Sequence, residues 1–394
     1  MKILIVGGGS AGWMTAAYLS SKTTHSITLI ESSKVPIIGV GESTIPGIND
    51  FIEAVGITED DLFTYCSAVR KYSIEHHNWN GKNEVWRHRF CTDESQEAVQ
   101  DIHMNEYTVN PRKYSHAYHL DATKLGTLCR DKSALPNGVT HIIDDVNDVI
   151  VDENGIKEVV GDKAIYTADL YIDCTGFRAL LRTPLGVEYE KHDSLINNCA
   201  VAGPGVYLDG EEPLPYTQTF SMNKGWRWRI SLQHRTGNGY VFNSDVLSVE
   251  DAKQELIAKT PGLIKEKIFV VPFRNGFNPE PWKQNVVSLG LSCGFLEPLE
   301  STGLFLVHGP CTVLVKLLED KRGPEKFNRV WSKLYREVAD LLGMYYKTSQ
   351  LSNDYWDKFA SVDNVTLPNE THLFVDYNYR QLAAARELST VYKD

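Results

Sequence analysis

The 394 residues, 42% hydrophobic and 23% charged, supply enough apolar material for two or three lobes around a large buried core. With 40 Lys+Arg against 51 Asp+Glu the formal net charge is −11, which speaks against a nucleic-acid-binding or anionic-membrane surface. Seven cysteines, odd in number and without a C-x-x-C pair, speak against a disulfide framework, a zinc site or a dithiol redox centre.

Lys2–Val6 reads as a buried parallel strand, and glycines interrupt the apolar run after Val6. Neither a signal peptide nor a membrane span is therefore expected, and the chain reads as cytoplasmic. Gly7, Gly9 and Gly12 follow in G-x-G-x-x-G spacing, Trp13–Ser20 reads as a helix, and a second strand, Ser26–Ile30, ends at Glu31. The first glycine permits a tight turn, the second lets a pyrophosphate approach the backbone, and the third lets helix and strand pack closely. The helix N-terminus offers free N–H groups to phosphates, and Glu31 is placed to hydrogen-bond a ribose diol. This pattern predicts dinucleotide binding and leaves the dinucleotide open.

Ser32–Gly47 is rich in turn formers; it reads either as a connection or as a stretch lying along a long cofactor through Gly39, Gly41 and Ser43. Helices are expected over Ile48–Val55 and Glu59–Ser73, the second carrying Arg70 and Lys71, and on local pattern Lys71 is a solvated surface cation. Cys91–Lys113 reads as an irregular excursion. A helix at Ala122–Asp131 has Asp121 as its N-cap. Strands Val139–Asp144, Val146–Val151 and Ile156–Val160 follow, the last two joined by an Asn154-Gly155 turn. Asp169–Gly176 is a short buried strand ending in Asp-Cys-Thr-Gly. That ending resembles a late signature of the FAD-binding variety of this fold and moves the assignment from NAD towards FAD.

Thr183–Thr219 is turn-rich and marks the crossing into a second lobe, where Phe220–Gln233 and Gly239–Asn243 read as sheet. Trp226 and Trp228, two apart, point to one face of a strand, and on local grounds read as core aromatics. Ser248–Ala258 is a capped helix ended by Pro261-Gly262. After the strand Val286–Leu289, Glu297 and Glu300 flank Pro298, and Ser301-Thr302-Gly303 opens a helical apolar run. The N–H groups of Thr302 and Gly303 form an anion site, or else Ser301 or Thr302 is a plain N-cap; the local sequence leaves both open. Leu314–Asp320, Pro324–Leu342 and Tyr379–Leu388 are further helical stretches.

Six motifs in order, GGGSAGW (Gly7–Trp13), GVGESTIP (Gly39–Pro46), DCTGFRALL (Asp173–Leu181), GWRWRI (Gly225–Ile230), GNGYVF (Gly237–Phe242) and EPLESTG (Glu297–Gly303), resemble the flavin-dependent halogenases of the tryptophan halogenase family. The resemblance runs from residue 1 to about 357, and Tyr345–Trp356 resembles the family's helix after the catalytic half. It implies an α/β fold, with an FAD-binding Rossmann-like core of the glutathione-reductase/monooxygenase type and a second mixed-sheet and helical substrate lobe. The implied FAD-binding lobe is residues 1–60, 115–182 and 284–320, and the substrate lobe 61–114, 183–283 and 321–394. The implied reaction is FADH2- and O2-dependent: a flavin C4a-hydroperoxide oxidises a halide, and hypohalous acid passes to a lysine beside an aromatic substrate.

Counting back from Asn78-Trp79, that lysine is Lys71, and Glu300 matches the family's essential glutamate. Thr302 and Gly303 match its halide site. Ser301 lies between the two sites, and Trp226 and Trp228 match the walls between flavin and substrate. The FAD contacts implied are Gly7, Gly9, Ser10, Ala11, Gly12, Glu31, Ser32, Val40, Ser43, Val146, Leu291 and Leu304. A separate NAD(P)H-dependent flavin reductase is expected, since no second nucleotide fingerprint occurs. No nucleic-acid or membrane partner and no metal are expected; the halide (chloride, bromide or iodide) and a homo-oligomer stay open.

Ser231 stands where the family has proline. The chain stops at Asp394, short of the longer tryptophan-specific members, which implies a more open site and an indole- or phenol-type substrate. The competing readings are an aromatic hydroxylase on the same fold, which needs neither Lys71 and Glu300 nor the tryptophan pair, and a non-catalytic binding module.

Overall fold

The computed structural model describes residues 1–35, 42–90, 116–186, 188–367 and 376–392; Val40 and the Cys91–Lys113 stretch lie outside them. The apolar run Ile3–Val6 is buried on both faces because it is a central strand. Ile3 and Ile5 pack with the helix Ser10–Lys22, while Leu4 and Val6 pack against Ile156 and Val159. Its sheet has six strands in the order Trp282–Lys283, Val286–Ser288, Leu170–Asp173, Lys2–Val6, Ser26–Glu31, Thr140–Ile143. All pair in parallel except the Trp282–Lys283 edge. Helices Ser10–Lys22, Ala122–Cys129 and Phe305–Glu319 cover one face, and the meander Val146–Asp152, Gly155–Gly161, Ile165–Tyr166 covers the other. This is an α/β, Rossmann-like architecture, in which a ligand belongs at the carboxyl ends of the central strands.

A second sheet has seven strands, in the order Phe269–Pro272, Cys199–Gly205, Thr236–Phe242, Gly225–Ser231, Tyr216–Met222, Ser73–His77, Val85–Arg89. Only the pairing of Tyr216–Met222 with Ser73–His77 is parallel. The 24-residue helix Pro324–Lys347 shares a core with it through Trp331, Leu334, Val338 and Tyr345. A third, small sheet has the order Glu42–Ser43, Ala117–Leu120, Val69–Lys71. Among the described residues no helix is long and apolar enough to cross a membrane, no three-residue metal cluster occurs, and the cysteines are free.

Four local readings change. The helix expected over Glu59–Ser73 stops at Tyr65, because Ser67 takes a left-handed conformation (φ 52°) and Val69–Lys71 pairs as a strand with Ala117–His119. The hairpin turn falls on Glu153 and Asn154, with Gly155 (φ 123°) opposite Asp152. Cys199–Gly205, inside the stretch read as turns, is a ladder strand paired on both sides. Tyr345 lies in the last turn of the long helix, which ends at Lys347, and no separate helix runs on to Trp356.

Candidate active site

The glycine turn ending the first strand has a distinct steric reason at each position. Gly7 has φ 112°, and a Cβ there would stand 2.2 Å from the Cys174 carbonyl oxygen. A Cβ on Gly12 would meet the Gly7 carbonyl oxygen at 1.8 Å, so helix and turn touch only through hydrogen. A Cβ on Gly8 would strike the Glu31 carboxylate at 1.6 Å, while one on Gly9 would project into open space. No side chain caps the helix that starts at Ser10. Open space before uncapped N–H groups fits a dinucleotide pyrophosphate.

Glu31 lies at the turn, with Oε1 2.6 Å from His141 Nε2. Ser10 Oγ donates to the Ala122 carbonyl (2.8 Å), and Ser32 Oγ donates to Asp145. Ser43 Oγ pairs with Thr217 Oγ1 at 2.8 Å. Gly290 (φ 67°) abuts Ala11, bringing the Gly290–Ser292 turn with Leu291 against the first helix. Val146 begins the meander and packs against the cluster of Leu4, Val6 and Ile30, and Leu304 is buried at the mouth of the helix Phe305–Glu319.

Lys71 is not a solvated cation: its exposure is 0%. Its Nζ donates to the Thr44 carbonyl (3.0 Å) and to Ser301 Oγ (2.8 Å), and stands 5.0 Å from the Phe90 ring centroid. Thr44 is fixed from behind, its N–H donating to the Tyr118 carbonyl (2.9 Å) and its Oγ1 accepting from the Tyr118 N–H (2.8 Å). Burial pushes the Lys71 amine well below its ordinary range; the Glu300 charge opposes this. A neutral amine has two N–H donors, and two acceptors are present.

Ser301, at φ 60°, is in the left-handed region, and this turns the backbone so that Glu300 and Ser301 both point inward. Glu300 is 1% exposed. One carboxylate oxygen stands 2.7 Å from His88 Nδ1, and the other accepts from the Tyr345 hydroxyl. His76 Nε2 lies 3.8 Å from Glu300 Oε1. Burial, with His88 adding to it, holds His76 well below its ordinary range. Beyond Ser301, the Thr302 hydroxyl is buried with no partner among the described residues, and Gly303 is exposed with open space before it. Among the described residues neither the Thr302 nor the Gly303 N–H donates a hydrogen bond, and neither Ser301 nor Thr302 caps the following helix. The anion-site alternative therefore keeps free donors, and the N-cap alternative falls.

Trp226 and Trp228 are both buried, 6.0 Å apart between centroids. Trp226 Nε1 donates to Glu297 (2.8 Å), whose carboxylate also receives Asn197, Asn275 and the Tyr346 hydroxyl. Trp228 lies flat on its cross-strand partner Gly239, where a Cβ would meet the indole at 2.1 Å. The Gly-Trp-x-Trp and Gly-Asn-Gly-Tyr motifs are thus two sides of one contact. Ser231 keeps its register opposite Thr236, and its carbonyl lies 3.1 Å from His119 Nδ1.

Lys71, Ser301 and Glu300 come together in one buried cluster, with Thr302 and Gly303 following directly in sequence. The turn of Gly7–Gly12, Glu31 and Leu291 forms a separate group at the strand ends. The sequence reading missed His88, His76 and Tyr345, the groups around Glu300. The available signal was the alternation Trp86, His88, Phe90, which puts three rings on one face of a strand.

The tryptophan halogenase family model matches residues 2–108 and 92–393. The 7-chloro-L-tryptophan 6-halogenase KtzR of Kutzneria sp. (strain 744) is 31% identical over 418 residues, covering 90% of this chain and 81% of that protein. Among solved structures, Tar14, a tryptophan C-6 flavin-dependent halogenase (chlorinase) from taromycin biosynthesis, superposes with a TM-score of 0.87 at 28% identity. That match covers 100% of this chain and 92% of Tar14. BrvH, a flavin-dependent halogenase from Brevundimonas sp. BAL3, gives 0.85 at 26% identity, over 100% of this chain and 91% of BrvH.

Proposed function

The chain belongs to the tryptophan halogenase family, and from that premise we propose that it halogenates an aromatic or heteroaromatic small molecule of indole or phenol type. Reduced FAD with molecular oxygen supplies the oxidising equivalent that converts a halide to hypohalous acid, and a separate NAD(P)H-dependent reductase supplies the reduced flavin. FAD lies along Gly7–Gly12, Glu31, Ser32, Ser43, Val146, Leu291 and Leu304, in a lobe made of residues 1–60, 115–182 and 284–320. Supporting this are the open space at Gly9 and the uncapped helix at Ser10. The halide sits on the Thr302 and Gly303 N–H groups.

The observation that carries the reading is the Lys71 amine, fully buried and hydrogen-bonded to the residue next to Glu300. Its lone pair attacks the halogen of hypohalous acid, forming an N–X bond and releasing water as one N–H proton leaves. The substrate carbon then takes the halogen; the N–X electron pair stays on nitrogen, which recovers a proton. Glu300, oriented by His88 and Tyr345, accepts the proton lost from the ring carbon. Ser301 links amine and halide site, while Trp226 and Trp228 wall off the substrate.

The test supplies the chain with FAD, a flavin reductase, NADH, oxygen, each halide in turn and a panel of indoles and phenols, with products read by mass spectrometry. A halogen replacing a hydrogen is expected. Gain of an oxygen atom instead would make the protein a hydroxylase.

A further inference from the structure

Arg386 follows the helix Asp376–Ala385 and is 1% exposed, yet among the described residues its buried Nε, Nη1 and Nη2 have no hydrogen-bond partner. Its backbone is fixed, the N–H donating to the Ala383 carbonyl (3.1 Å) and the carbonyl accepting from Gln350 (3.5 Å). Its guanidinium carbon stands 5.7 Å from the Trp86 ring centroid. Burial lowers its pKa only to about 10, so it remains a cation at neutral pH. A cation shut away from water with five idle donors is among the most costly things a fold can hold, and calls for an anion.

The surroundings specify more. Trp86 stacks on His76 (4.6 Å, 18°), Tyr345 (5.9 Å, 20°) and His88 (6.4 Å, 27°). His88 and Tyr345 are the two residues that hold Glu300. One aromatic panel therefore connects the lone guanidinium with the carboxylate assigned as proton acceptor. Among the described residues two more buried donors lack partners, Trp86 Nε1 and Gln381 Nε2, whereas the Gln381 side-chain carbonyl oxygen already accepts from the Arg89 N–H (3.4 Å). The idle groups are all donors, and a planar guanidinium fork matches a carboxylate.

Resting on the halogenation reading, we propose that Arg386 docks a carboxylate carried by the aromatic substrate, so that the substrate is an aromatic acid and not a neutral indole or phenol. The carboxylate pairs with the guanidinium, and the ring lies along the panel towards Glu300 and Lys71.

The test compares an aromatic acid with its primary amide, isosteric but uncharged, for example indole-3-acetate with indole-3-acetamide. Isothermal titration and acid-to-amide kcat/KM ratios are measured on the wild type, Arg386→Lys and Arg386→Met. The wild type is expected to favour the acid by roughly tenfold to a hundredfold, the range of a buried charge-assisted pair. Arg386→Met brings the ratio to near one, and Arg386→Lys keeps part of it. Arg386→Met should also melt higher than the free wild type, since it removes an uncompensated buried charge; this shows that the variant folds.

Equal binding of acid and amide by the wild type, or an acid preference that survives Arg386→Met, would overturn the assignment. So would a rise in melting temperature with sodium chloride or bromide that matches the acid's in the wild type and is lost in Arg386→Met, because the Arg386 site, as distinct from the halide site at Thr302 and Gly303, would then take inorganic anions. The titration needs no turnover. A chain that prefers the acid but transfers no halogen to any compound contradicts the functional reading alone, and one that halogenates without preference contradicts this proposal alone.

Discussion

Lys71 and Glu300 are both removed from water, and neighbouring donors and acceptors decide what each can do. For Lys71 the burial penalty falls on the protonated form, so its folded pKa is depressed while the unfolded chain keeps the ordinary value near 10.4. Between those two values the unfolded state binds more protons, and stability rises with pH. Below the folded pKa the whole penalty is present; above the unfolded value it has gone. Denaturant titrations from pH 7 to 10 should therefore show the wild type gaining on Lys71→Met as pH rises, and a flat difference would mean the amine is not depressed. Glu300→Gln keeps the shape and loses the base. Turnover should fall on the order of a hundredfold or more if the carboxylate takes the ring proton, and a near-normal rate would leave Glu300 a purely structural partner of His88 and Tyr345.

At the scale of elements, the strand–turn–helix at the N-terminus separates two effects that a glycine motif usually confounds. Gly9 has ordinary angles (φ −72°, ψ −176°), and a Cβ there meets nothing, whereas a Cβ on Gly12 meets backbone at 1.8 Å. Gly9→Ala should thus leave the melting temperature of the flavin-free chain nearly unchanged while weakening FAD binding, read by fluorescence titration, by about tenfold or more, the factor for about 1.4 kcal/mol. Gly12→Ala should destabilise the fold itself. If both variants behaved alike, the assignment of separate roles would fail.

This unit was legible in the sequence because its signals are local: apolar periodicity, glycine spacing and a terminal acid, all within 31 residues. The Val69–Lys71 strand was not, since its partner His119 is far along the chain and its three residues carry no periodicity of their own. Cys199–Gly205 was hidden by Gly203, Pro204 and Gly205, which read as a turn; pairing on both sides overrides that preference.

Over the whole molecule, chemistry-bearing residues from distant segments converge. Lys71 reaches Thr44 across 27 positions and Ser301 across 230, and Glu300 reaches His88 across 212. No single-sequence pattern encodes such contacts, which is why Lys71 taken locally looks like a surface cation and only the ordered set of motifs pointed inward. The groups around Glu300 stayed invisible because a histidine and a tyrosine in unmarked positions announce nothing until a strand edge and a helix end are brought together. Arg386 is the same case, an ordinary helix-end arginine in sequence and a shut-in cation in the fold.

The central claim is that an oxidised halogen is delivered through the Lys71 amine. The most direct measurement is product mass from Lys71→Ala beside the wild type, with FAD, reductase, NADH, oxygen, halide and an accepted aromatic, after fluorescence titration has shown equal FAD binding. The account predicts halogenated product from the wild type and none from the variant. Halogenated product from Lys71→Ala at the wild-type rate would contradict it.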